Sequence, residues 1–124
     1  MAVTRISREA LDNLLKGEIK EPTTVVLKFY SNNCHLCHNL RDYFLQVADK
    51  EEYGKLHFFA YNIDDYPEIE DNLRFKGVPT IAVIHTNMAR RRPKVHILPE
   101  PENPNDKTWY RVSDICNFLN RMAI

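Results

Sequence analysis

A chain of 124 residues, 44% hydrophobic and 27% charged, has the length of one domain with a substantial core. Its 17 basic and 17 acidic residues cancel, so no global field argues for nucleic acid or an anionic membrane as partner. Three cysteines are too few for a disulfide scaffold, and no apolar run approaches the ~20 residues of a bilayer span.

Met1 to Ser7 lacks the apolar core of a secretory signal, so a cytoplasmic location is expected. Ser7 is predicted to cap a helix that buries Leu11, Leu14 and Leu15, with Ile6 and Leu11 as a hydrophobic staple and Gly17 as the stop. The β-branched, apolar run from Thr24 to Tyr30 predicts a buried central strand. From Cys34 to about Lys50, Leu36, Leu40, Tyr43, Phe44 and Val47 recur at helical spacing. Leu56 to Ile63 is a second strand, and Pro67 opens a short helix through about Phe75. Gly77-Val78-Pro79-Thr80 leads into a third strand, Ile81 to Ile84, and Thr86-Asn87-Met88 reads as a turn. Arg90-Arg91-Arg92 reads as a basic hairpin end, and Lys94 to Leu98 as an edge strand. Three prolines mark 99–107 as a loop, with Trp109 and Tyr110 tying it back. Ser113 is expected to cap a last helix facing inward with Ile115, Phe118, Leu119 and Met122, with Cys116 a buried inert thiol. His57 and His85 are expected as satisfied structural histidines. Alternating helices and strands imply an α/β sandwich, with helices on a small mixed sheet.

Cys34-His35-Leu36-Cys37 follows the central strand directly. Two thiols at this spacing on a strand-to-helix turn can close a small disulfide and reopen it. A helix beginning at Cys34 aims unpaired N–H groups and the positive end of its dipole at that sulfur, which favours the thiolate. Other chemistries share the pattern. Cys34 to His38 is a literal C-x-x-C-H, the attachment pattern of c-type haem, which requires export and maturation machinery. Two cysteines and two histidines could also meet zinc, although neighbours on one helix do not all converge on a tetrahedral ion.

Phe29 to Cys37, Asn62-Ile63-Asp64 and Gly77-Val78-Pro79-Thr80 together resemble the thioredoxin family, over nearly the full length of the chain. Glutaredoxins fit less well, since they usually lack the first helix–strand pair and carry a Gly-Gly that this chain does not have. The resemblance implies a single thioredoxin-like domain over 1–124, with a central mixed sheet flanked by helices on both faces. It also implies a thiol–disulfide oxidoreductase acting on protein disulfides, in which Cys34 is the nucleophile and Cys37 the resolving thiol. Pro79 would be cis, with Val78 beside it holding an extended substrate strand. Neither a prosthetic group nor a metal is implied. The expected partners are protein disulfides and a reductant, either a reductase of the thioredoxin reductase type or glutathione. A monomer is expected.

The chain departs from the family at several points. His35-Leu36 stands where Gly-Pro is usual, and Asn33 where tryptophan is usual. Lys28 replaces a buried aspartate, and Ala60 the lysine that partners it. His96 matches a glycine beside the substrate groove, and reads equally as a groove residue or as a plain edge-strand residue. Protonated His35 and cationic Lys28 would both favour the thiolates. That predicts a couple more oxidising than ordinary thioredoxin, at about −270 mV. The same departures keep open a second reading, a redox-inactive thioredoxin-like binding module.

Overall fold

The computed structural model describes residues 3–87 and 92–123. Five strands form one mixed sheet: β1 (Val3–Arg5), β2 (Thr24–Tyr30), β3 (His57–Asn62), β4 (Thr80–His85) and β5 (Lys94–Ile97). Their spatial order is β1-β3-β2-β4-β5. β1 and β2 run parallel to β3, while β4 is antiparallel to β2 and β5 antiparallel to β4. Four helices pack on this sheet: α1 (Arg8–Leu15), α2 (His35–Ala48), α3 (Ile69–Leu73) and α4 (Val112–Met122).

Pleating divides β2 between two cores. Val25, Leu27 and Phe29 face α1 and α3, packing with Leu11, Leu14, Ile69 and Phe75. Val26 faces α2 and α4, packing with Leu40, Phe44, Phe118 and Leu119. Burial on both faces is why this strand reads as a continuous apolar run. Ser7 caps α1, its hydroxyl accepting from the Ala10 N–H at 3.1 Å, and Gly17 follows the helix at a φ of 80°.

The structure departs from the sequence expectations at several points. β1 was not foreseen; it is a short edge strand with two exposed residues and gives no alternation signal. Tyr43 is 43% exposed, because the apolar stripe of α2 is rotated toward Cys37 and Ala48 and leaves Tyr43 at its margin. His57 is exposed and stacks against Phe59, whereas His85 is satisfied by Thr24 Oγ1 and the Met122 carbonyl. Cys116 is a free thiol that is only half-buried. The last helix is capped from Arg111, not Ser113: the Asp114 carboxylate accepts the Arg111 N–H at 2.9 Å, which leaves Ser113 inside the first turn. Asp114→Ala is therefore expected to cost about 1 kcal/mol in urea denaturation, and Ser113→Ala nearly nothing. Of the basic run, Arg90 and Arg91 lie outside the described residues, and Arg92 is exposed.

Loop 99–107 is tied down at several points. Asn105 and Trp109 exchange two backbone hydrogen bonds of 2.9 and 2.8 Å. The Tyr110 hydroxyl donates to the Leu98 carbonyl, and Asn39 Nδ2 donates to the Lys107 carbonyl on the α2 side. Trp109 holds a φ of 67°, an uncommon backbone conformation for a bulky residue.

Candidate functional site

The end of β2 delivers Ser31 to Asn33 as a turn, and Cys34 is the N-cap of α2. The turn is held by its backbone and by neighbouring polar groups. The Asn32 N–H donates to Asp64 at 2.9 Å, and Asn62 Nδ2 donates to the Asn32 side-chain oxygen at 2.9 Å. His38 Nε2 lies 3.1 Å from the Asn32 carbonyl oxygen, which engages the residue that the haem pattern would use as axial ligand. The sequence placed Asn62 and Asp64 at a strand end, but nothing in the linear pattern indicated that their side chains reach across to Asn32.

Cys34 and Cys37 are joined as a disulfide with Cα atoms 5.2 Å apart, inside the ordinary range for this bond. The two sulfurs differ in access. Cys34 is half-buried, whereas Cys37 is 2% exposed beneath the first turn of α2. The Cys37 N–H points at Cys34 Sγ at 3.0 Å, so an unpaired amide of the helix start is already aimed at that sulfur. In the reduced protein the same amide and the helix dipole would stabilise a Cys34 thiolate. The Val78 carbonyl oxygen lies 3.6 Å from Cys34 Sγ, and the Val78–Pro79 peptide bond is cis. His35 and Asn33 are exposed on either side of Cys34.

Leu36, Val78 and Pro79 line a cleft of about 540 Å³ together with Pro99, Glu100 and Trp109. The 99–107 loop therefore contributes its first residues to the wall beside the disulfide. His96 does not line this cleft. From β5 it pairs with Val83 of β4 and meets the His85 ring at 5.7 Å, while Ile97 to Glu100 reach the cleft instead. The expected groove position of His96 is thus corrected by strand register: the Leu98 N–H bonds the Ile81 carbonyl, so the residues opposite Pro79 come after β5. Burial and the neighbouring His85 and Lys94 hold the His96 pKa below its ordinary value.

Behind the disulfide, Lys28 is 5% exposed, with its ammonium nitrogen 5.4 Å from the Phe44 ring centroid and 5.8 Å from that of Tyr30. Burial, then Arg41, then Arg5 lower its pKa to about 8. Lys28 shares a second cavity with Cys37.

The family model for thioredoxin matches residues 3–96 of this chain. The chain belongs to the thioredoxin family. No curated protein matches it by sequence. Among solved structures it is similar to the Trx4 domain of ERdj5, at TM-score 0.71 and 16% identity over 98% of this chain and 95% of that one. It is also similar to chloroplastic thioredoxin z, at TM-score 0.64 and 23% identity over 98% and 94%. Against the J-Trx1 fragment of ERdj5 the TM-score is 0.64 at 18% identity; the match covers 96% of this chain, which spans about half, 49%, of that fragment. Identities this low speak for the fold alone. A thioredoxin domain with a cysteine pair at disulfide distance supports thiol–disulfide oxidoreductase chemistry in general.

Proposed function

We propose that this thioredoxin-family chain exchanges disulfides with protein substrates through Cys34 and Cys37. The observation that carries the reading is the unequal access of the two bonded sulfurs at the start of α2. The Cys34 thiolate attacks one sulfur of a substrate disulfide. A Cys34–substrate bond forms, and the first substrate sulfur leaves as a thiolate that takes a proton from water. Cys37, as its thiolate, then attacks Cys34 Sγ. The second substrate thiol departs and the Cys34–Cys37 bond closes. Two electrons have passed to the substrate, and an external dithiol reductase or glutathione returns them. An extended substrate segment fits against the backbone of Val78 at the mouth of the cleft, with Leu36 and Trp109 offering apolar contact.

The couple is proposed to be more oxidising than ordinary thioredoxin. Lys28 places a cation behind Cys37, and His35, when protonated, adds a second beside Cys34. Both stabilise the thiolates of the reduced form and leave the uncharged disulfide unaided. Equilibration with glutathione buffers tests this. A reduction potential clearly above about −270 mV is expected, and a value at or below it would overturn the tuning by His35 and Lys28.

A further inference from the structure

Arg5 and Lys28 both pair with Ala60, so β1, β3 and β2 set Arg5, Ala60 and Lys28 in one row across the sheet. Neighbouring strands lie about 4.8 Å apart, so the backbones of Arg5 and Lys28 are two strand spacings from each other, with the short Ala60 side chain in the row between them. α2 covers this row and adds His38 and Arg41, with Cys37 at the margin. Together these residues line a partly open cavity of about 340 Å³. Tyr30 forms part of the wall, with the Arg5 guanidinium carbon and the Lys28 ammonium nitrogen each 5.8 Å from its ring centroid.

None of the described residues lining the cavity is acidic. Lys28 is nearly excluded from solvent, and Arg41 and Arg5 repel its charge. Arg5, His38 and Arg41 are exposed and only Lys28 is buried, so the like charges focus positive potential at the mouth of the cavity, and an anion there relieves their repulsion. Two guanidinium groups suit a planar or tetrahedral oxyanion, since each presents paired N–H donors. The volume exceeds that of a few waters, which leaves room for such an ion together with bridging water or a small organic substituent.

We propose that this cavity binds a small oxyanion of the phosphate or sulfate class, held by Arg5, Lys28 and Arg41. The site shares no lining residue with the substrate cleft, although Lys28 and Cys37 connect it to the redox pair. Free phosphate and the phosphate group of a small monoester share this recognition chemistry.

The test is an amide NMR titration of the oxidised protein at neutral pH and constant ionic strength, with chloride replaced in turn by inorganic phosphate and by glycerol phosphate. Saturable shifts are expected at residues 5, 28, 38, 41 and 60, with a Kd of about 1 mM or tighter for at least one of the two. Tighter binding of the ester would assign the site to a phosphorylated small molecule, and tighter binding of phosphate to the free ion. Arg5→Gln and Arg41→Gln are each expected to weaken binding about tenfold or more, as loss of a charge-assisted contact does. Lys50→Gln, at the other end of α2, should leave it unchanged. Shifts that rise linearly without saturation, or variants that bind like the parent, would overturn the proposal.

Discussion

Cys37→Ser is expected to convert turnover into capture. With Cys34 intact, attack on a substrate disulfide still forms the mixed disulfide, but the serine hydroxyl cannot displace it. Non-reducing electrophoresis after mixing with a disulfide-bonded protein should show a covalent adduct that collapses on reduction. Cys34→Ser should show none, because the remaining sulfur is 2% exposed beneath the first turn of α2. Both variants should lose catalysed disulfide reduction by at least about a thousandfold, the scale on which removal of an enzyme nucleophile is felt. The pair also separates two readings of the chain. If Cys34→Ser and Cys37→Ser engage partners as the parent does, with no adduct in either, the cysteines are incidental and the domain is a binding module. If the adduct forms on Cys37 in the Cys34→Ser variant, the proposed order of attack is reversed.

The parts of this site that were legible in the sequence are those fixed by local chemistry. The Cys34–Cys37 spacing, the apolar β2 before it and the helical stripe after it lie within one contiguous segment, so strand, turn and helix start could be placed together. Pro79 stands out only through the resemblance of Gly77-Val78-Pro79-Thr80 to a segment of the thioredoxin family. What escaped was set by pairing between distant segments. His96 was placed beside the groove by its position in the last strand. Its actual location depends on the register of β5 against β4, which the bond from the Leu98 N–H to the Ile81 carbonyl determines. β1 was missed because three residues with one half-buried side chain carry no period. The hydrogen bonds from Asn62 and Asp64 to Asn32, and the row of Arg5 and Lys28 about Ala60, exist only once β3 has come to lie between β1 and β2. Lys28 was visible as a departure at a buried position. Whether its ammonium reached the surface was a question of packing, and Phe44 and Tyr30 hold it inside.

Lys28→Met should raise the stability of the oxidised protein at neutral pH, an unusual outcome for a core substitution. Methionine is one atom shorter than lysine but keeps an unbranched apolar side chain in the same buried position, while removing a charge that burial and two arginines oppose. The folded protein holds this amine at a pKa of about 8 against an ordinary 10.5. Between those values the unfolded chain binds more protons than the folded one, so parent stability rises with pH across that window. Below about 8 the full penalty persists, and the difference between the two values corresponds to about 3 kcal/mol. In urea denaturation without phosphate, the variant should therefore exceed the parent by about 2–3 kcal/mol at pH 7, and its advantage should shrink markedly by pH 10. An equal difference at both pH values would mean that Lys28 is solvated and that its burial has no electrostatic cost. The same substitution removes a cation that favours the thiolates, so the reduction potential should fall toward that of ordinary thioredoxin. Greater stability of the oxidised fold and a less oxidising couple are thus two consequences of one charge. A parent that is less stable than the variant and also more oxidising would tie both effects to that charge.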